Sequence, residues 1–299
     1  MSLRTYGLEQ GEPLIEGLRR IAVGRIDNAI EALSGELGLT PEQAVHEARK
    51  DMKKLRSLLR LVRGGLGEKT YRRELTCFRD ATAELAGARD SDVMVATLDG
   101  LGLAPELAGP LRRSLEANRL RSGGPAHGAV IEMLRSARER VGAWSVSDDS
   151  FHAVRPGLER MYRGGRRGFR SAREQPSVEE LHEWRKRVKD LWYQQTLLRS
   201  LWPPVMKAVA DEAHELSDLL GDDHDLAMLL DWAREHAEAP PELVEAVERR
   251  RHALQAAALA LGARLYSDKP SAFVRRLERC WRAAAHRRTR LGQSPATSP

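Results

Sequence analysis

The sequence predicts an all-α protein made of antiparallel helical bundles, and three observations support this prediction. Leu, Ala, Arg and Glu are abundant while aromatic residues make up only 5% of the 299 residues, a composition that favours helices. Apolar residues recur with the period of a helix, about 3.6 residues, along nearly the whole chain. No run alternates β-branched and polar residues as a half-buried strand would. Short loops between the predicted helices favour antiparallel neighbours.

Six helices are predicted in the first half of the chain, which we place at residues 1–145. The first covers residues 13–36 and ends before Gly38. Thr40 is a suitable N-cap for the second helix, because it precedes a proline at the first helical position. This helix is expected to end near Val62, where two glycines follow. The remaining predicted helices of this half cover 69–86, 91–99, 105–121 and 126–143.

A short polar segment at residues 144–150 is expected to connect the two halves. The second half, residues 146–291, also shows helical periodicity throughout. Its predicted helices cover 151–173, 177–200, 204–220, 224–238, 241–265 and 270–290. The last residues, 292–299, are expected to form a disordered tail, because they are small, polar and proline-containing.

An internal repeat relates the two halves. Segments 46–55 and 182–191 share His, Glu, Arg, Lys, Lys and Leu at the same positions, early in a long predicted helix of each half. A second similarity follows in each half, at 84–93 and 218–226. Because the order of the two similarities is conserved, the sequence predicts duplication of a half-domain and therefore two pseudo-symmetric bundles.

Both copies of the repeat place basic residues on one face of a helix. At about 100° per residue, those that follow each histidine at intervals of three and four lie within about 60° of it. Like charges at this spacing destabilise a helix, so their presence in both copies indicates an anionic ligand. With the neighbouring Lys54, the candidate binding residues on these helices are His46, Arg49, Lys50, Lys53, Lys54, Arg60, His182, Arg185, Lys186, Lys189 and Tyr193.

An arginine-rich segment precedes the second copy, and its spacing also favours one side of a helix. Gly164, Gly165 and Gly168 within it weaken a helix but let a backbone or a ligand approach closely. Arg contacts phosphate oxygens through two parallel hydrogen bonds, and Lys acts as a movable charge. The face from His46 to Arg60 would be about 21 Å long, which suits a linear polyanion. The candidate binding residues of this segment are Arg163, Arg166, Arg167 and Arg170.

Two motifs together resemble the CHAD family, whose name stands for conserved histidine α-helical domain. One is His-x-x-Arg-Lys-x-x-Lys, which opens a basic helix in each half, and the other is Leu-x-Gly-x-Arg-Asp-x-Asp-Val at residues 85–93. The resemblance extends over about residues 14–290. It implies two pseudo-symmetric four-helix bundles whose basic helices line a central groove or pore. It also implies binding of inorganic polyphosphate and targeting to polyphosphate granules.

The resemblance assigns the residues of the repeat to two half-sites. The first half-site would contain His46, Arg49, Lys50 and Lys53, and the second would contain His182, Arg185, Lys186 and Lys189. Some family members carry an adjoining CYTH domain that processes triphosphate, but its alternating Glu-x-Glu-x-Lys pattern is absent from this sequence. We therefore expect neither catalysis nor a cofactor.

Ser57 stands where the second half has Tyr193, so the two half-sites are expected to contact the polymer differently.

A metal-dependent phosphohydrolase is one alternative. Four consecutive residues offer ligands for a divalent ion, namely Asp222, Asp223, His224 and Asp225. Aspartates also cap helix N-termini and interact favourably with the helix dipole, and we expect this capping role here. Neither copy of the repeat has the second His of a zinc-protease motif, and the chain has no Walker loop and no Gly-x-Ser-x-Gly motif. The prediction is therefore a protein without catalytic or metal-binding residues.

A protein that binds the backbone of RNA or single-stranded DNA is the other alternative, because its phosphates would fit the same basic faces. Such proteins usually also offer aromatic side chains on which bases stack. The only aromatic cluster near a basic face contains Trp184, Trp192 and Tyr193. Trp184 lies about 160° from the basic face and is expected in the core. We therefore favour polyphosphate.

Composition and charge limit the cellular setting. The formal charge of +6 is modest, so the distribution of basic residues matters more than their excess. Cys77 and Cys280 are far apart and support neither a disulfide framework nor a cysteine-rich zinc site. No apolar run approaches the roughly 20 residues that span a bilayer, and the first ten residues lack the apolar stretch of a signal peptide. We therefore expect a cytoplasmic protein that associates with granules rather than membranes.

Overall fold

The computed structural model describes residues 5–85, 88–121, 127–236 and 239–291, with side chains described except at 88–92, 118–121 and 285–291. This part of the chain contains eleven α-helices, one short 3-10 helix and no strand, which confirms the predicted all-α class. The predicted tail, residues 292–299, lies outside the described residues. None of the described helices combines the length and the apolar character needed to cross a membrane.

The helices of the first half lie close to their predicted positions. α2 begins with the predicted cap: the Thr40 hydroxyl accepts a hydrogen bond from the Gln43 backbone N–H, while the Gln43 side chain accepts one from the Thr40 N–H. This capping box satisfies two of the backbone donors at the helix start. The helices are α1 (Leu14–Leu33), α2 (Pro41–Leu66), α3 (Glu68–Glu84), α4 (Ala88–Asp99), α5 (Pro105–Arg121) and α6 (His127–Val141).

The segment between α6 and the next helix contains no helix, as predicted for the connection. The helices of the second half are α7 (Phe151–Glu174), α8 (Val178–Leu197), α9 (Pro203–His236), α10 (Pro241–Leu265) and α11 (Pro270–Leu291). A single 3-10 turn, Arg199–Leu201, joins α8 to α9. Each half therefore begins with a helical hairpin whose second helix carries one copy of the repeat.

Two predicted helix ends are wrong. Gly64 and Gly65 do not stop α2, which continues to Leu66 and ends at Gly67, where φ is +79°. Both glycines instead pack against α7, where a Cβ at position 65 would lie 3.4 Å from the Ala153 Cβ, at van der Waals contact. The break predicted near residue 221 is also absent, since α9 is one helix of 34 residues.

The length of α9 follows from the two hydrophobic cores that it joins. Its first half, through Leu220, is buried in the main core with α1–α3, α6–α8, α10 and α11. Its second half is buried with α4, α5 and α10 in a smaller core. The residues of α4 and α5 in this smaller core are Met94, Leu98, Leu111 and Leu115. A continuous α9 is therefore favoured over the predicted break because both of its ends bury apolar residues.

Consecutive helices pack in the same order in the two halves. α1 packs against α2 and α6, as α7 packs against α8 and α11, and α2 packs against α3, as α8 packs against α9. The halves meet where α2 crosses α7 and α8, and where α4 meets α9. The α2–α7 crossing is close, because a Cβ at Gly157 would lie 1.9 Å from the Leu61 carbonyl oxygen. The pseudo-symmetry of the two bundles stays a prediction.

Candidate functional site

The first copy of the repeat occupies the N-terminal part of α2. His46 is exposed, and Arg49, Lys50 and Lys53 are partly buried. Arg49 points towards the end of α3, where its Nη1 donates a hydrogen bond to the Leu85 carbonyl oxygen at 3.0 Å. Carbonyls at a helix end lack partners within the helix, so this contact ties α2 to α3.

The second copy, on α8, repeats this division of roles. Arg185 points towards α9, and its Nε donates to the Ser217 carbonyl oxygen at 3.2 Å. Its guanidinium lies so close to α9 that a Cβ at Gly221 would be 2.4 Å from Nη2. His182 and Lys189 are partly buried, while Lys186 is exposed. In both copies the arginine therefore joins the repeat helix to the next one.

The lysine that follows each arginine pairs with the glutamate of its own copy. Lys50 Nζ lies 3.1 Å from Glu47 Oε1, and Lys186 Nζ lies 2.5 Å from Glu183 Oε1. These four side chains are one-third or more exposed. Ion pairs of this kind contribute little to stability, so an anionic ligand can replace the carboxylate at small cost.

Two basic residues of α2 pair with buried acidic residues, which the sequence did not indicate. Lys54 Nζ lies 3.4 Å from the buried Asp51, which also accepts hydrogen bonds from Arg25 and Asn28 of α1. Burial lowers the pKa of Lys54. Arg60 Nη1 lies 2.8 Å from Oδ1 of Asp190, a buried residue of α8. The expectation of unopposed like charges is therefore wrong for Lys54 and Arg60.

Tyr193 lies at the crossing of α2 and α8, where its side chain is 4% exposed. Its ring packs edge-on against Tyr6, with 6.2 Å between centroids, and burial raises its pKa. Ser57, its counterpart in the repeat, is also buried, and its hydroxyl lies 3.5 Å from the Asp190 carbonyl oxygen. Both positions therefore contribute to the contact between the halves. Trp184 is fully buried, as predicted.

The arginines of α7 lie on its outer side. Arg163, Arg167 and Arg170 are exposed, and Arg166 is partly buried. Arg163 forms an ion pair with Glu159. The placement of this segment in the same site as the repeat helices stays a prediction.

Aromatic side chains approach two of the three glycines in the arginine-rich segment of α7. A Cβ at Gly165 would lie 2.4 Å from the Tyr266 hydroxyl oxygen, and one at Gly168 would lie 3.0 Å from Trp184 Cδ1. Gly164 lies next to the side chain of Arg187, at 3.3 Å from its Cδ by the same measure. The glycines therefore let α8 and α10 pack closely on α7.

His182 faces His224 of α9, with ring centroids 4.3 Å apart. The Nδ1 atoms of both rings are buried and form no hydrogen bond with described residues. Burial, followed by the charges of His224, Lys186 and Arg185, lowers the pKa of His182 to about 4. Burial also lowers the pKa of His224. Burial therefore disfavours the charged form of both imidazoles, although Glu183 beside His182 and Asp223 and Asp225 beside His224 favour it.

The four residues considered as a possible metal site, residues 222–225, lie in the middle of α9. The predicted capping of a helix N-terminus by these residues is therefore wrong. Asp223 is buried and accepts hydrogen bonds from Arg251 (3.0 Å) and Gln255 (2.8 Å) of α10. Burial, followed by the charge of Asp225, raises the pKa of Asp222. Among the described residues, no three His, Cys, Asp or Glu side chains are grouped to hold a metal ion. The corresponding side chains of α4, residues 89–92, lie outside the described residues.

Three residues of the α2–α8 contact were not among the binding residues predicted from the sequence. Arg56 and Arg187 lie beside the predicted basic faces, and Asp190 replaces the Lys54 of the first copy. The exchange of Lys for Asp at this position of the repeat was the one signal of an ion pair between the halves.

A comparison with models of protein families matches residues 25–234 to the family described as CHAD domain. No curated protein matches the chain. The matched range includes both copies of the repeat and the whole α2–α8 crossing, and ends within α9.

Proposed function

The chain belongs to the CHAD family, a family associated with polyphosphate binding, and from this membership we propose that it binds inorganic polyphosphate along the basic faces of α2 and α8. The observation that supports this proposal most is the matched division of roles in the two copies. Arg49 and Arg185 fix the helices to their neighbours, which leaves the lysines beside them at the surface. A rigid pair of helices with surface lysines suits a polymer of identical phosphates.

The proposed contacts differ in kind along the two helices. Lys50, Lys53, Lys186 and Lys189 would contact the polymer, because a mobile ammonium can follow phosphates of varying position. The exposed His46 would donate a hydrogen bond to the polymer from its imidazole ring. Arg49 and Arg185 would add positive charge near the polymer and would hold α2 and α8 in place against the neighbouring helices. Tyr193 would act by supporting the α2–α8 crossing. The arginines of α7 would extend the surface for a longer chain.

Binding without hydrolysis is part of the proposal, as is recruitment to polyphosphate granules. A protein that holds many phosphates at once gains affinity from each neighbouring contact, since the polymer remains at high local concentration after the first contact forms. That gain would favour the dense polymer of a granule over free phosphate. Release of orthophosphate from the polymer by the purified protein would argue for the phosphohydrolase alternative.

The experiment that tests the proposal is a calorimetric titration with long-chain polyphosphate and, separately, with single-stranded DNA at equal concentration of phosphate and equal salt. We expect polyphosphate to bind more tightly, because the only aromatic ring of the two repeat helices near these lysines that is not buried is that of Trp192, which is partly buried and packs against Tyr193 and His214. Equal or tighter binding of the DNA would favour the nucleic-acid alternative.

A further inference from the structure

Two arginines pair with a single buried carboxylate where the two halves meet, and two further arginines lie nearby. Arg56 and Arg60 lie one turn apart on α2, Arg187 lies on α8, and Asp190 is the buried acid. Arg60 Nη1 is 2.8 Å from Asp190 Oδ1, and Arg187 Nη1 is 3.6 Å from Oδ2. The fourth arginine is Arg79 of α3, which is close enough to act on the charge of Arg56.

Arg56 has no acidic side chain within ion-pair distance among the described residues, and the Asp190 charge acts on it only from farther away. It forms no ion pair with a described residue, and its Nε is buried without a hydrogen-bond partner there. Burial, followed by the charge of Arg60, lowers the pKa of Arg56. A guanidinium does not lose its proton under these conditions, so Arg56 stays charged although its buried Nε has no hydrogen-bond partner among the described residues.

The acids nearby do not balance the group. Asp190 is shared by Arg60 and Arg187, and its Oδ2 accepts no hydrogen bond from a described residue. Arg79 is exposed and pairs with its sequence neighbour Asp80, which is partly buried. The group therefore carries more positive than negative charge, and its members come from both halves of the chain.

We propose that Arg56, Arg60, Arg79 and Arg187 form a phosphoryl-binding subsite between the halves, in which the Asp190 carboxylate is the resident counter-ion that a bound phosphoryl group displaces or weakens. A phosphoryl oxygen pair matches the planar donors of a guanidinium, as a carboxylate does. Partial burial strengthens such contacts relative to those at an open surface. This inference rests on the proposed function, since a segment of polyphosphate is the expected source of the phosphoryl group.

The subsite has a consequence for the polymer. Because it combines arginines of α2 and α3 with one of α8, it would hold one phosphoryl segment at the contact between the two halves. The Asp190 carboxylate would compete with that segment for the arginines. A ligand would therefore have to carry enough negative charge to displace the carboxylate. Orthophosphate would displace the carboxylate poorly. A polyphosphate chain that is already bound elsewhere on the protein would displace it more readily, because its phosphoryl groups are at high local concentration.

Two substitutions test the subsite with opposite expected signs. Arg56→Gln should weaken binding of long-chain polyphosphate by about tenfold, as expected for one lost bond to a charged group. It should also lower the slope of log K against log salt by about one. Asp190→Asn should tighten binding by about threefold or more, because the competing charge is removed while the amide oxygen can still accept from Arg60. Arg113→Gln, an exposed arginine of α5, is the matched control and should change neither value.

Thermal unfolding of each variant without ligand separates binding from folding. A variant that unfolds at the wild-type temperature and changes affinity as stated supports the subsite. If wild type binds polyphosphate and both variants bind like the Arg113→Gln control, the subsite is wrong and the proposed function stands. If wild type does not bind polyphosphate, both proposals fail. Should Asp190→Asn fail to fold, Arg187→Gln replaces it and should weaken binding by a factor similar to that of Arg56→Gln.

Discussion

At the scale of single residues, the arginine and the lysine of each repeat copy have different tasks. Arg185 donates to the Ser217 carbonyl across a helix contact, whereas Lys186 lies exposed beside Glu183. Arg185→Gln should therefore lower the free energy of unfolding by about 1–2 kcal/mol, since a partly buried charged hydrogen bond is lost. Lys186→Gln should change it by less than about 0.5 kcal/mol.

Chemical denaturation of the two variants, with polyphosphate binding measured in parallel, checks this separation. Lys186→Gln should lower affinity while stability stays at the wild-type value. The same comparison at Arg49 and Lys50 should give the same pattern, because the contacts of α2 are equivalent. Equal losses of stability for the Arg and Lys variants would show that the division of roles is wrong.

The histidine pair makes a second prediction at this scale. His182 has a folded-state pKa of about 4, below the value of about 6.5 for an unfolded chain. Between these values the unfolded state binds more protons, so stability is fully present above about pH 6.5 and is lost as the pH falls towards 4. His182→Gln should remove part of this loss. The unfolding temperature of the variant relative to wild type should rise as the pH falls from about 7 to about 4.5.

The groups that face the pair determine how a ligand would act on it. Arg185 and Lys186 on α8 and His224 on α9 disfavour a charged His182, while Glu183 favours it. A bound polyanion would oppose the positive charges and raise the pKa of His182, so binding should take up protons. His252→Gln, an exposed residue of α10, is the control. A constant difference between wild type and His182→Gln across this pH range would assign the pair a purely packing role.

At the scale of helices, the crossing of α2 and α7 depends on one glycine. A Cβ at Gly157 would lie 1.9 Å from the Leu61 carbonyl oxygen, a backbone atom that cannot rotate away. Gly157→Ala should therefore force the helices apart and cost about 3 kcal/mol or more of unfolding free energy. Gly128→Ala in α6 is the control, because nothing lies within 4 Å of its added Cβ. The control should be neutral or slightly stabilising, and similar losses for both variants would contradict the close crossing.

Helix existence could be predicted because each helix buries an apolar stripe that periodicity reveals. The capping box at Thr40 and Gln43 was equally visible, since it is a local arrangement of side chain and backbone. The errors at Gly65 and Gly221 share a cause. Each predicted helix end lay beside a glycine, whereas in the structure Gly65 packs against the Ala153 side chain and Gly221 against that of Arg185. Such tertiary contacts override local propensity and leave no local signal.

At the scale of the whole molecule, the contact between the halves could be predicted least. The repeat revealed two similar helices, and helical geometry placed their basic residues on one face. Neither observation shows that Asp190 of one helix meets Arg60 of the other. That ion pair depends on how distant segments dock, and docking is determined by the summed packing of many side chains. The part of the candidate site that lies between the halves was therefore missed.

In the proposed function, both repeat helices bind one polyphosphate chain. If they do, loss of one half-site turns a chain held at two places into a chain held at one, and the gain from high local concentration disappears. A short ligand that reaches only one half-site has no such gain to lose. Long polymer and triphosphate should therefore respond differently to the same substitution.

The most direct measurement is the affinity of long-chain polyphosphate and of triphosphate for two double variants, Lys50→Gln with Lys53→Gln and Lys186→Gln with Lys189→Gln. Lys69→Gln with Lys207→Gln, two exposed lysines outside the repeat, is the control of equal charge. We predict that each half-site variant weakens the long polymer by about 10² or more and triphosphate far less, while the control changes both slightly. Equal losses for the two ligands, or losses no larger than those of the control, would contradict the account.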